Sequence, residues 1–403
     1  MADLPLTGVR VLELSSYFVG PYTTRLLADA GADVLKIEPP TTGDPARHEG
    51  PFFHDEPDLE KSGVFLFLNT NKRSVTLNLE SNRGQQIVRD LIKETDIIVE
   101  SFPPGYLDKL GLSYKTLSEI NPNLVMVSIT NYGQNGKYKD YQGVDLTLWA
   151  MGGAMISSGH IDEYPLKLAG RIASFHVGSC VAAATMTAYW NALLSDEGEQ
   201  VDISFYESWM GSIDRRTRDL LVHAYTGEQS QRAFPSSRLA SGAYPCKDGY
   251  FHFSNGGRRF LDRLLPMMGL EHLANEPPWN DPVALVQPES AQEFDAIFIP
   301  WLLEYTKQEL RDMCQEAGVL GAPVNTVEDI VNDRHFIERE YWQTIDHPAT
   351  GPLSYPGFNV RFHGIERPNR TPAPLLGADT NGVMEHLGYS PEEIGLLRHQ
   401  GVI

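Results

Sequence analysis

Short apolar runs alternate with longer stretches of helical spacing through the first half of the chain. Val9 to Leu14 (VRVLEL), Ala32 to Ile37 (ADVLKI), Asp96 to Val99 (DIIV), Leu124 to Ile129 (LVMVSI) and Val201 to Phe205 read as strands. Pro21 to Ala30 and Gly84 to Lys93 carry apolar residues at helical intervals and read as helices. Strands that are apolar throughout are covered on both faces, so the pattern predicts an open α/β sheet of parallel strands. Its ligand crevice belongs at the carboxyl ends of those strands, at Ser15 to Gly20, Glu38 to Asp44, Glu100 to Gly105 and Thr130 to Lys139. Phe65 to Leu79 (FLFLNTNKRSVTLNL) reads as two strands flanking Asn69, Asn71, Lys72 and Arg73. Two amides and two cations in a loop suit phosphate or adenine contacts, and a solvated turn fits equally well.

Lys167 to Tyr189 (KLAGRIASFHVGSCVAAATMTAY) stands apart. Gly170 and Arg171 break an extended run, and Ser174, Phe175 and His176 lead through Gly178 into a segment of Ala, Val, Cys and Met. Side chains this small let a helix pack closely, which predicts a buried helix. Ser174 reads either as its N-cap or as a polar group facing a ligand. Tyr206 to Leu220 is a further helix, and from about Thr226 the texture changes. Ser236 to Gly256 is rich in glycine and aromatics and predicts short antiparallel strands turning at Lys247-Asp248-Gly249. Phe260 to Met268 and Glu293 to Cys314 are helical, as are Asp379 to Leu387 and Pro391 to Arg398 beyond a stretch rich in Pro and Gly. The expected division is a large Rossmann-like domain over 1–225, a smaller α+β domain over 226–330, and a return segment over 331–403 that completes the first.

Composition narrows the function. The 403 residues are 41% hydrophobic and 21% charged, as in an ordinary globular protein. A net charge of −20 argues against nucleic acid or an acidic membrane as a partner, yet a few placed cations still suffice for a phosphorylated ligand. Cys180, Cys246 and Cys314 are too few and too scattered for a disulfide framework or a metal site, and read as small buried hydrophobes. The amino terminus lacks a basic, apolar leader and no run reaches membrane-spanning length, so a cytoplasmic location is expected. No Gly-x-Gly-x-x-Gly pattern follows the first strand, which removes the phosphate fingerprint of a nicotinamide enzyme.

Several ordered blocks resemble the class III CoA-transferase family (the CaiB/BaiF type), which includes formyl-CoA transferase, carnitine CoA-transferase and the α-methylacyl-CoA racemases. The blocks are LTGVRVLELSSYFVGPYTTRLLADAGADVLKIEPPTTGD, LNTNKRSVTLNL, DIIVESFPPGYLDKLGL, NPNLVMVSITNYGQNG, GAYPCKDGYF, GVLGAPVNTVEDI and APLLGADTNGVMEHLGYSPEEIGLLRHQGVI. The resemblance implies subunits threaded through each other like links. Coenzyme A and acyl-CoA would be substrates, with no tightly bound cofactor and no metal. By matching positions it implies CoA contacts from Asn71, Lys72, Phe102 and Lys109. The family's loop carries asparagine before the phenylalanine and arginine after it, whereas Ser101 and Pro103 stand here.

A second departure is larger. The resemblance puts a nucleophilic aspartate four residues before the glycine of the small-residue helix, and that place holds Ser174, before Gly178. A carboxylate attacks the thioester and forms a mixed anhydride that CoA thiolate can reopen. A serine ester is less activated and would trap the acyl group. The racemase branch places a histidine in a Gly-His-Asp pattern, and here Gly143, Val144 and Asp145 occupy it, so that acid–base pair is missing too. The expectation is therefore a non-catalytic subunit of a heteromeric CoA-transferase whose aspartate-bearing homologue does the chemistry. Such an enzyme would move CoA from a dicarboxylic acyl-CoA such as succinyl-CoA to an acid such as benzylsuccinate. The alternative is a self-sufficient CoA-ester hydrolase or lyase using Ser174 with His176; His160 is the other histidine nearby in sequence.

Overall fold

In the computed structural model, which describes residues 3–210, 215–228, 239–254, 258–365 and 370–403, the apolar runs assemble into a six-stranded sheet. Strands β1 (Arg10–Leu14), β2 (Asp33–Glu38), β3 (Lys72–Thr76), β4 (Ile97–Glu100), β5 (Val125–Thr130) and β6 (Gln200–Ser204) pair in parallel in the order β3-β2-β1-β4-β5-β6. The helices α1 (Val19–Asp29), α2 (Gly63–Leu68), α3 (Asn82–Ile92), α4 (Tyr106–Lys109), α5 (Tyr114–Ser118), α6 (Asp145–Met151) and α7 (Ile172–Ser195) lie between strands. Alternate side chains feed two cores, as the two-residue period of a strand requires. Val11, Val34, Val99 and Val127 join α1 and α7 on one face, while Leu12, Leu35, Ile98 and Met126 join α3 and the C-terminal Ile394 and Leu397 on the other. Chain order reverses between β1 and β4, so the loops leaving them diverge and open a crevice.

The chain divides into two compact units. The sheet belongs to the first, formed by Met1–Ser158, Leu166–Ser230 and Glu340–Ile403. The second, Gly159–Pro165 with Gln231–Arg339, contains a three-stranded antiparallel sheet, β7 (Gly242–Cys246), β8 (Gly249–Phe253) and β9 (Gly321–Pro323). Its core is Phe251, Phe253, Phe294 and Phe298.

Four local readings change. The apolar run before Asn69 is the helix α2 and not a strand, and Lys72 and Arg73 lie in β3 rather than in a loop. Ser62 Oγ accepts the Phe65 N–H and starts that helix, a signal outside six residues too few to show a period. Ser174 lies inside the first turn of α7, after an uncapped Arg171, so it is not the N-cap. Glu293 to Cys314 is broken after Leu302, because Thr306 and Glu309 form a capping box that starts a second helix at Lys307. Cys180 is exposed, while Cys246 and Cys314 are buried. Of the helix expected over Tyr206 to Leu220, Phe205–Met210 and Arg215–Thr226 bear helical structure and 211–214 lie outside the described residues, as do 236–238 and 255–256 of the glycine-rich stretch.

Small residues do bring α7 close to α1. A Cβ at Gly178 would stand 2.8 Å from Tyr22 Cδ1 and 3.2 Å from Val19 O, and Thr23 Oγ1 donates to Gly178 O at 3.0 Å. Among the described residues no helix is long and apolar enough to cross a membrane.

Beneath the crevice lies a buried charge network. Glu13, fully buried on β1, accepts from Lys36 Nζ at 2.8 Å, Lys72 Nζ at 2.9 Å and Thr24 Oγ1 at 2.6 Å. Lys36 also meets Asp44 Oδ2 at 2.7 Å, and the Asp44 N–H donates to Glu38, which Arg47 holds through Nε at 2.7 Å and Nη2 at 2.9 Å. Arg47 Nη2 further donates to Pro374 O in the returning tail. Burial pushes the Glu13 carboxyl up, but Lys36 and Lys72 outweigh it and hold the group down at about 2. Removing one partner strands a charge in the interior. Lys72→Met should therefore cost about 3–5 kcal/mol in urea unfolding. The neighbouring Arg73→Met, which breaks an exposed pair with Asp33, should cost less than about 1 kcal/mol; equal small losses would remove the network from its role.

Candidate functional site

Loops at the carboxyl ends of β1, β4 and β5 enclose a cavity of about 790 Å³, ample for a small organic ligand. Ser16 to Gly20, Ser101 to Pro104 and Ile129 to Asn131 form three sides, and Lys139 to Asp145, Arg171 and Ser174 complete it. Tyr17 enters with φ of 73°, a left-handed conformation that costs a bulky residue energy. Asp44 Oδ1 accepts the Tyr17 N–H at 3.0 Å, so the buried network holds that strained residue in the wall.

Position 174 presents a hydroxyl. Ser174 Oγ donates to Asp145 Oδ1 at 3.2 Å, and Asp145 Oδ2 pairs with Lys167 Nζ at 2.9 Å. The carboxylate nearest Ser174 thus already holds two partners. At the N-cap of α7, the Arg171 guanidinium lies 4.7 Å from the Tyr17 ring centroid and 4.6 Å from that of Phe18, and its Nη2 donates to Glu49 and to the Tyr17 hydroxyl. His176 does not share this surface: its Nε2 lies 3.6 Å from Cys180 Sγ and its ring packs edge-on to Trp209. His160 lies 3.6 Å from Asp162 in an exposed turn.

The four residues expected at CoA fall in four places. Phe102 lines the cavity, stacked on Tyr106 at 4.6 Å. Lys109 is exposed at the end of α4. Lys72 donates to Glu13, to Pro21 O at 2.8 Å and to Asn69 Oδ1 at 2.9 Å, which uses all three ammonium protons. Asn71 bonds Asp29 through Nδ2 at 2.8 Å and accepts the Thr371 N–H at 2.8 Å, tying the C-terminal tail to the start of β3. A second cavity of about 500 Å³ shares Pro103, Pro104 and Lys139 with the first, and Lys115 lines it. Among the described residues neither Lys139 nor Lys115 is in an ion pair. The sequence pattern put Lys139 at the crevice without a binding role, gave Arg171 and Asp145 none, and left Lys115 out altogether. Arg171 carried a readable signal, a cation three residues before Ser174 where the extended run ends and α7 begins.

Glu100, at the end of β4 and 4% exposed, accepts the Phe102 N–H at 2.8 Å and so anchors the loop between the cavities. Burial pushes its carboxyl up to about 7; Asp202 and Asp108 push it the same way, and hydrogen bonds from Ser128 and Phe102 oppose them.

The sequence model of CoA-transferase family III matches residues 6–380. The chain is 29% identical over 401 residues to succinyl-CoA–D-citramalate CoA-transferase of Chloroflexus aurantiacus, covering 99% of this chain and 98% of that one. It is also 29% identical over 403 residues to the succinyl-CoA:(R)-benzylsuccinate CoA-transferase subunit BbsE of Thauera aromatica, covering 98% and 97%. Among solved structures, a CaiB/BaiF family protein from Brucella suis superposes with a TM-score of 0.83 at 26% identity, covering 96% of this chain and all of that one.

A carboxyl with a folded pKa near 7 and an unfolded value near 4.3 favours folding when protonated. Its contribution is complete below the unfolded value and disappears as pH rises through about 7. Urea midpoints of the unaltered protein should therefore fall between pH 5 and pH 8 relative to those of Glu100→Gln, by the equivalent of a few kcal/mol, since each tenfold difference in proton affinity is worth about 1.4 kcal/mol. Parallel profiles would show that Glu100 does not titrate there.

Proposed function

The chain belongs to CoA-transferase family III, and from that premise we propose that it is the subunit without a nucleophile in a heteromeric CoA-transferase. Its homologous partner carries the aspartate, and CoA thioesters are the substrates. Ser174 carries this reading, because a buried hydroxyl donating to Asp145 stands where the family resemblance puts the attacking carboxylate. A serine ester formed there would sit below the thioester and the anhydride in reactivity and would not return its acyl group to a CoA thiolate. The apolar exposure of α7 and of Arg215–Thr226 supports a partner chain: Trp190 is 63%, Leu194 71% and Tyr225 88% exposed. By likeness to the two relatives, the donor is succinyl-CoA or a similar dicarboxylic thioester and the acceptor an acid such as benzylsuccinate.

CoA lies along the joined cavities in this reading. Phe102 contacts it, Lys139 and Lys115 face its phosphates, and Lys109 adds charge at the end of α4. Asn71 and Lys72 support the loops from beneath, since contact with CoA would require them to leave the partners they hold.

A second reading draws on the same hydrogen bond. If the chain hydrolyses a CoA ester by itself, Asp145 and not His176 is the group placed to accept the Ser174 proton. An acyl ester trapped on Ser174 would decide for it.

Expressed alone, the chain should show no CoA exchange between succinyl-CoA and a labelled acid; exchange by the isolated chain at the rate of the heteromer would overturn the proposal. Mutating the partner's aspartate should lower heteromer activity by roughly three orders of magnitude or more. Ser174→Asp in this chain should create an acyl adduct cleaved by hydroxylamine.

A further inference from the structure

Arg171 is not used by the chemistry described above, yet it lines the cavity. We infer that the cavity takes the acyl part of a dicarboxylic CoA thioester, with Arg171 binding the distal carboxylate. The inference rests on the CoA-transferase reading of the same cavity and specifies the acyl class that this chain holds without turning over.

Three observations support it. Arg171, the N-cap of α7, and Ser174, in its first turn, stand three residues apart and both line the cavity. The three carbon–carbon bonds of a succinyl group, about 1.5 Å each, span on the order of 4 Å between thioester carbon and carboxylate carbon. A thioester beside Ser174 therefore puts its far end in reach of the guanidinium. Second, the hydrogen bonds of Arg171 to Glu49 and Tyr17 both leave from Nη2, so Nη1 keeps its protons for a charge-assisted bond to a carboxylate oxygen. The rings of Tyr17 and Phe18 hold the guanidinium, and its side chain remains 29% exposed. Third, among the described residues the other cation lining the cavity serves elsewhere: Lys139 lies on the wall shared with the second cavity.

Glu49 already neutralises part of the Arg171 charge. That does not bar a second carboxylate. Arg47 in this same chain holds Glu38 and Glu60 together on one guanidinium. The cavity walls also include Phe18, Leu148 and Phe205, apolar surfaces suited to methylene groups.

The test is calorimetric titration of the full chain with succinyl-CoA and with butyryl-CoA, which has the same number of acyl carbons and a methyl in place of the carboxylate. Succinyl-CoA should bind at least tenfold more tightly, and in Arg171→Met that ratio should collapse to about one. Arg171→Lys should recover part of it. Should Arg171→Met fail to fold, Glu49→Gln releases the guanidinium from its counterion and should raise the ratio. Equal binding of the two thioesters by the unaltered chain, a ratio that survives Arg171→Met, or no binding of either thioester would overturn the inference. CoA transfer by the isolated chain would defeat the proposed function and leave this one standing, so the two fail separately.

Discussion

A single buried carboxylate, Glu13, organises the crevice end of the sheet. It sits on the central strand β1 with no exposed surface, and an ion there survives only if its charge is answered locally. Lys36 from β2 and Lys72 from β3 answer it, so three adjacent strands are bound to one another by charge as well as by their ladders. Lys36 then fixes Asp44, Asp44 fixes the backbone of Tyr17, and Glu38 with Arg47 carries the chain of contacts into the returning tail. The wall of the cavity is the outer end of that sequence of contacts.

This arrangement separates scaffold from chemistry. The loops after β1 and β4 are held by Asp44 and Glu100, neither of which resembles a reacting group, and both would hold the cavity whatever stood at position 174. The hydroxyl at Ser174 fits the wall at little cost, because its donor bond to Asp145 satisfies a buried polar atom. A substrate-sized cavity is therefore compatible with a hydroxyl at this position. Asp145 is held from two sides, by Lys167 and by Ser174.

The parallel sheet was legible from its apolar runs because strands buried on both faces need uninterrupted Val, Ile and Leu. The crevice was legible as well, since it follows from strand ends and needs no side-chain detail. Lys72 shows where the reading weakened. A lysine among asparagines looks like a phosphate contact, and only the pairing of β3 beside β2 turns it inward toward Glu13, 59 residues away. The run before Asn69 went astray for a smaller reason, a cap from Ser62 on a helix of six residues.

What the sequence alone determined is therefore local in origin. It includes the order of strands and helices, the close-packed α7 with Gly178 at its tightest point, the family to which the ordered blocks belong, and the hydroxyl at position 174. Tertiary structure decided which charges are spent and which are free. Lys72 and Lys167 are spent, whereas Arg171 lines the cavity with both of its hydrogen bonds leaving Nη2, and Lys139 is in no ion pair among the described residues. The physical reason is that a strand or helix follows from periodicity within a few residues. The state of an ionisable group depends on partners brought to it by the fold, from anywhere along the chain.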